Sequence, residues 1–89
     1  MDRIWGEVTQ VIDGDTFDMQ VTHIDGENEY PYNDVERIRI KGIDAPELDE
    51  AGGQRSKRAL TRCLADEHIQ VDIHTRDRYR RLVGDVTVE

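Results

Sequence analysis

Apolar and polar residues alternate along most of this chain, with the two-residue period that is typical of half-buried β-strands. The alternation is clearest in Thr16–Ile24, where Phe17, Met19 and Val21 share one face. Four further segments are rich in β-branched residues and are also predicted strands: residues 4–12, 37–41, 69–75 and 82–88. The pattern therefore predicts five strands separated by polar turns.

One segment, residues 54–67, has the period of an amphipathic helix instead. Leu60, Cys63 and Leu64 recur at helical spacing, so the single cysteine is predicted to be a small buried helix residue. Strand, strand, strand, helix, strand, strand is the element order of a five-stranded Greek-key barrel of the OB type. We therefore predict a mainly β fold with one helix between strands 3 and 4, in a single domain over residues 1–89.

The charge is distributed unevenly along the chain. The formal net charge is -8, which ordinarily argues against a polyanionic partner. Residues 1–36, however, hold ten acids and one base, whereas residues 37–89 hold eleven bases against ten acids. All but one of the cations therefore lie from the third predicted strand onward, where an anionic partner remains compatible with the sequence.

The stretch from Arg37 to Glu47 concentrates candidate chemistry. Three cations share one face of its predicted strand: Arg37, Arg39 and Lys41. Ile43 is expected to return to the core, and Pro46 then stiffens the tetrapeptide that presents Asp44 and Glu47. Two carboxylates at the rim of a strand, beside a strand arginine, predict a site for a metal and a phosphate.

Two other polar segments connect the first three strands. Asp13, Gly14 and Asp15 predict a turn that directs carboxylates outwards. Residues 25–34 are acidic and predict a hairpin loop. Its Tyr30 and Tyr32 are expected to anchor the loop to the core, with stacking on a nucleobase as the alternative.

Four segments, in this order, carry a resemblance to a known family: VIDGDTF (11–17), RIKGIDAPE (39–47), GQRSKRAL (53–60) and RDRYRRL (76–82). Over nearly its whole length the sequence resembles the staphylococcal nuclease, or thermonuclease, family. The resemblance implies an OB-fold, a calcium ion, and hydrolysis of DNA and RNA phosphodiesters to products that end in a 3′-phosphate.

The resemblance also implies roles for individual residues. Asp15 and Asp44 would be metal carboxylates, and Ala45 would supply a backbone carbonyl. Arg39, Glu47 and Arg81 would be catalytic, with Glu47 aiming or deprotonating the attacking water. Asp77 and Tyr79 would belong to the substrate pocket. The chemistry is consistent, since hard divalent cations prefer oxygen ligands and planar guanidinium groups bind phosphate oxygens in pairs.

Two features depart from the family pattern. Arg80 stands where the family has a turn glycine, so a position suited to positive φ would carry a bulky side chain. The family's further C-terminal helices, which cover the barrel, have no counterpart in residues 1–89.

The expected partners are single-stranded or denatured DNA and RNA, bound by a monomer with no membrane partner. No export signal is predicted at the N-terminus, and the sequence leaves the compartment unassigned. The alternative functions are an OB module that binds nucleic acid or a protein without cutting, and a structural domain that takes up calcium.

Overall fold

The computed structural model describes residues 1–89 and contains five strands and one helix. They are β1 (Asp2–Asp13), β2 (Thr16–Ile24), β3 (Val35–Ile40), α1 (Gly53–Leu64), β4 (His68–Arg76) and β5 (Leu82–Val88). The element order is the one that the hydrophobic pattern predicts. The helix α1, with 12 residues, is too short and too polar to span a bilayer.

The five strands form a closed barrel in the order β1-β2-β3-β5-β4. Strands β3 and β5 are parallel, and every other neighbouring pair is antiparallel. Strand β1 closes the barrel because it pairs with both β2 and β4, and three register shifts against β2 allow it to bend. The prediction of a five-stranded OB-type barrel with one helix between β3 and β4 is confirmed.

The interior of the barrel is filled by the alternate apolar residues of its strands. Phe17, Met19 and Ile38 have no exposed surface, and Leu64 of α1 joins the same core. Two sequence-based expectations are wrong here. Cys63 is exposed, because the side of α1 next to Leu64 faces away from the barrel, and Ile43 is exposed on the turn after β3.

Helix α1 ends before the predicted boundary at residue 67. The amide of Ala65 still donates to the carbonyl of Thr61, but Ala65 itself has an extended ψ of 127°. Asp66 follows with a φ of 62°, in the left-handed region that stops a right-handed helix. The last charged residues of the predicted helix therefore belong to the connection into β4.

The loop between β2 and β3 is fastened to the barrel by a buried carboxylate. Asp2 accepts hydrogen bonds from the Tyr32 hydroxyl at 2.6 Å and from the backbone amides of Glu29 and Tyr30. The Tyr32 hydroxyl, followed by these amides, holds the pKa of Asp2 below its usual value. The anchoring role is confirmed for Tyr32 and wrong for Tyr30, whose side chain is exposed.

A second buried carboxylate, Glu36, ties the same loop to β4. Its two oxygens accept hydrogen bonds from the two terminal nitrogens of Arg76, each at 3.0 Å. The amide of Asn33 donates to Glu36 at 2.9 Å, and Arg76 also donates to the carbonyl of Arg80. This group, which we call the Glu36–Arg76 network, contains no buried polar side-chain atom without a partner.

Candidate functional site

Asp15 lies at the centre of the site because the turn between β1 and β2 places it against β3. Its backbone carbonyl accepts a hydrogen bond from Ile40 at 2.8 Å. Asp15 is only 6% exposed. Its carboxylate accepts one hydrogen bond from the Thr16 hydroxyl at 2.9 Å and another from the Ala45 amide at 3.0 Å. Asp15 therefore joins the β1–β2 turn to the turn that follows β3.

Gly14 is required for this close approach. A Cβ at this position would fall 2.6 Å from the Cβ of Ser56 and 2.7 Å from the Cβ of Ala45. Neither distance is possible without displacement of the neighbouring backbone. The glycine thus lets the β1–β2 turn, the Asp44–Glu47 turn and the start of α1 come together.

Arg39 bridges the two predicted metal carboxylates. Its Nη2 lies 3.4 Å from Asp15 Oδ2 and 3.5 Å from Asp44 Oδ1. Its Nη1 donates to the backbone carbonyls of Ile40 and Ile43, which holds the guanidinium beside the turn. The Asp44 carboxylate is otherwise fully exposed, so one of its sides is open to solvent.

The carboxyl groups of Asp13 and Asp15 are coupled. Burial and the neighbouring Asp15 carboxylate raise the pKa of Asp13. Burial also opposes ionisation of Asp15, but hydrogen bonds from Asp13, Ala45 and Thr16, together with the charge of Arg39, hold the pKa of Asp15 below its usual value. Of these two acids, Asp15 is therefore the one that loses its proton at the lower pH.

An open cleft of about 340 Å³ lies next to this cluster and is lined by Arg37, Glu47, Tyr79 and Arg81. The Glu47 side chain is exposed, and its backbone is held by the start of α1. Its amide donates to the Glu50 carboxylate at 3.0 Å, and Gly53 approaches its carbonyl so closely that no side chain would fit there. The helix thus supports the turn from behind and leaves the carboxylate free.

Arg81 is oriented from the opposite wall of the cleft by Asp77. The Asp77 carboxylate accepts from the amides of Tyr79 and Arg81 at 2.9 Å and from Arg81 Nε at 2.7 Å. Burial opposes ionisation of Asp77, but these hydrogen bonds, led by the Arg81 amide, hold its pKa below the usual value. Arg80, between Tyr79 and Arg81, has a φ of 67°, so this turn keeps the positive φ that is expected where the family has a glycine.

Tyr79 carries an exposed aromatic ring between two guanidinium groups. The Cζ atom of Arg78 lies 5.0 Å from the ring centroid, and the Cζ atom of Arg81 lies 5.3 Å from it. Arg78 also donates to the Tyr79 hydroxyl at 2.8 Å. The ring is therefore held at the rim of the cleft with Arg81 against it.

Comparison with known proteins identifies the family. A family model described as staphylococcal nuclease homologue matches residues 37–89, which is more than half of the chain. The chain belongs to the staphylococcal nuclease family. The family match begins inside β3, after the Asp15 turn, and runs through α1, β4 and β5, so it includes the Asp44–Glu47 and Asp77–Arg81 turns.

Several relatives are similar over nearly the whole chain. A protein of Escherichia coli named Protein ParB is 40% identical over 93% of this chain, and Micrococcal nuclease of Shigella flexneri is 35% identical over 89%. An Uncharacterized endonuclease of Escherichia coli is 32% identical over 93% of this chain. The matched regions are 41%, 40% and 48% of these relatives, so the chain spans less than half of their length.

The eight site residues that the family resemblance implied fall into two adjoining groups. The first surrounds Arg39 and contains Asp15, Asp44 and Ala45. The second is the cleft, with Glu47, Tyr79 and Arg81, and with Asp77 behind it. The Asp44–Glu47 turn belongs to both groups. The roles of these residues remain predictions, because position alone does not test them.

Sequence reasoning gave no site role to Arg37, which lines the cleft, or to Asp18, which holds Arg37. The signal was present in the alternation of β3, since Arg37 is two residues from Arg39 and so points to the same face of the strand. The partner Asp18 could not be identified from spacing, because it lies on a different strand.

Proposed function

We propose that this chain is the barrel of a calcium-dependent nuclease that hydrolyses phosphodiester bonds of DNA and RNA. The proposal rests mainly on one observation: Arg39 contacts both Asp15 and Asp44 beside an open cleft that contains Glu47 and Arg81. Such a set of two carboxylates, two arginines and a free acid suits the hydrolysis of a phosphate ester better than it suits a barrel rim with no ligand.

The oxygen atoms near Arg39 suit a hard cation. Asp15 is kept ionised, Asp44 is open to solvent, and the carbonyl of Ala45 lies in the same turn. No three of the chain's His, Cys, Asp and Glu side chains form a metal site by themselves, so water and a substrate oxygen would complete the coordination. Calcium bound there would neutralise charge on a phosphate oxygen.

The side chains of the cleft and the neighbouring Arg39 would each have a different role in the reaction. Arg39 and Arg81 would bind the oxygens of the scissile phosphate, on which negative charge builds during attack. Glu47, exposed and without a cationic partner, would orient a water molecule and accept its proton. The water oxygen would bond to phosphorus as the bond to the 5′-oxygen breaks, and the 5′-oxygen would take a proton from solvent, which leaves a 3′-phosphate and a 5′-hydroxyl.

The exposed ring of Tyr79 favours an unpaired strand as the substrate, since a stacked nucleobase must leave the duplex to reach it. Asp77 would keep Arg81 and Tyr79 in place. Single-stranded or denatured DNA and RNA are thus the proposed substrates, bound by one copy of the chain.

The decisive experiment measures cleavage of denatured DNA and of RNA with calcium and then with a chelator. Glu47→Gln should reduce the calcium-dependent rate about 10²- to 10⁴-fold, since it removes the general base and keeps the shape of the side chain. The matched control is Glu67→Gln, because Glu67 is also exposed and its side chain makes no hydrogen bond. Circular dichroism and calcium titration should be unchanged in both variants.

Cleavage that survives Glu47→Gln, or that survives the chelator, would contradict this mechanism. Calcium-independent binding of denatured DNA with no cutting would instead assign the chain to the non-catalytic OB modules. Calcium uptake without any nucleic-acid binding would favour a structural metal-loading domain.

A further inference from the structure

Arg37 and Arg81 lie side by side although they are far apart in the sequence. Strands β3 and β5 pair in parallel, with Ile38 opposite Leu82. Arg37 directly precedes Ile38 in β3, and Arg81 directly precedes Leu82 at the start of β5, so the two arginines emerge beside each other and both line the cleft with Glu47. Two neighbouring guanidinium groups repel each other, so the structure must hold each of them in place.

Each of these arginines is held by its own aspartate. Arg37 Nε lies 2.8 Å from Asp18 Oδ1 and Nη2 lies 3.1 Å from Asp18 Oδ2, a two-point contact that fixes the plane of the guanidinium. Arg81 is held through Nε by Asp77 at 2.7 Å. Both arginines therefore keep terminal N–H groups without a protein partner: Nη1 of Arg37, and Nη1 and Nη2 of Arg81.

An ordinary cross-strand ion pair would also bring Asp18 and Arg37 together, because they are directly opposite in the β2–β3 register. The chain contains a second pair of this kind. Arg3 of β1 is directly opposite Asp72 of β4 and contacts it at 2.6 Å. The Arg3 side chain is 45% exposed and the Arg37 side chain is 50% exposed, but only Arg37 lines the cleft. Arg3 is therefore the matched control for Arg37.

We propose that Arg37 binds a second phosphate of the substrate, next to the one that is cleaved. Arg37 and Arg39 are two residues apart on the same face of β3, a spacing of about 6.6 Å that is comparable with that of neighbouring phosphates on a single strand. The site thus binds a polynucleotide strand with at least two consecutive phosphates. This inference rests on the proposed nuclease function.

The test compares Arg37→Gln and Arg3→Gln on two substrates: hexathymidylate, which has several phosphates, and the dinucleotide thymidylyl-thymidine, which has one. Arg37→Gln should raise KM for hexathymidylate about tenfold, the lower end of the effect of a charge-assisted hydrogen bond. Its kcat for hexathymidylate and both constants for the dinucleotide should match the wild type. Arg3→Gln should match the wild type on both substrates.

A binding titration of hexathymidylate over a range of salt concentrations gives a second measurement. Arg37→Gln should reduce the slope of log Kd against log salt by about 0.7, as expected when one phosphate contact of a single strand is lost. Arg37→Lys should recover part of the affinity, because it keeps the charge and loses the planar contact.

The outcomes separate this inference from the function on which it rests. If the wild type cuts hexathymidylate and Arg37→Gln behaves like Arg3→Gln, the Arg37 site is wrong and the nuclease proposal stands. If the wild type binds but does not cut, the nuclease proposal fails and the Kd values alone decide the role of Arg37. If the wild type neither binds nor cuts, both proposals fail. An equal loss on the dinucleotide would place Arg37 at the scissile phosphate instead.

Discussion

Two arginine–carboxylate groups in this barrel contain the same types of side chain but differ in how completely these side chains are paired. In the Glu36–Arg76 network, a carboxylate that is 3% exposed accepts from both terminal nitrogens of one arginine and from a loop amide. In the Arg39 cluster, one guanidinium lies between two carboxylates at the longer distances of 3.4 Å and 3.5 Å, and one of these carboxylates is fully exposed.

The difference lies in what each group leaves unused. Glu36 and Arg76 satisfy each other and join the β2–β3 loop to β4, so no ligand is needed there. The Arg39 cluster holds more carboxylate than guanidinium and opens to solvent through Asp44, which leaves oxygen atoms for a cation. What separates a structural network from a candidate binding site is whether its charged groups are already fully paired, more than which residue types it contains.

Removing Arg76 should have the largest effect on stability. Arg76→Met leaves the buried Glu36 carboxylate without its cation and should lower the free energy of unfolding by about 3 kcal/mol, measured by urea denaturation. The control is Arg3→Met, whose solvent-exposed pair with Asp72 should contribute much less to stability. Equal losses of unfolding free energy in the two variants would show that the buried pair stabilises the fold no more than the exposed pair does.

Removing Arg39 should affect cleavage more than folding. Arg39→Ala should reduce the rate of DNA cleavage at least about a hundredfold, or about 2.7 kcal/mol, because a donor to the scissile phosphate is lost. Asp15 keeps its hydrogen bonds from Thr16 and Ala45, so the change in unfolding free energy should be about 1 kcal/mol. Arg55→Ala, on the exposed side of α1, is the control that should change neither quantity. A large loss of stability with cleavage intact would show that Arg39 serves the fold and not the reaction.

Asp77 combines features of both groups, since its carboxylate is saturated although it lies behind the cleft. Its pKa is lower in the folded chain than its ordinary value of 3.8, so its contribution to stability is present above that pH and is lost as the pH falls below it. Asp77→Asn should lower the unfolding free energy by about 1 kcal/mol at neutral pH. Urea denaturation at several pH values should show this deficit shrinking below about pH 4; a deficit that is independent of pH would exclude ionisation as the cause.

Much of the fold could be predicted from the chain because side-chain periodicity is a local property. The alternation in Thr16–Ile24 and the helical spacing of Leu60 and Leu64 identify their elements without any knowledge of neighbours. The wrong predictions concern burial. Cys63 and Ile43 have apolar side chains in plausible positions, but whether a neighbouring element covers them depends on how the helix and the turn pack.

By itself, the sequence determined the order of strands and helix, the family, and the set of acids and arginines from which a site could be built. Only the tertiary structure decided which of them meet. Arg39 lies next to Asp15 because it pairs with Thr16 in the β2–β3 register, and Arg37 lies beside Arg81 because the residues that follow them, Ile38 and Leu82, pair in parallel. Strand register joins residues that are distant along the chain, and it depends on the packing of the whole barrel, which no local pattern records.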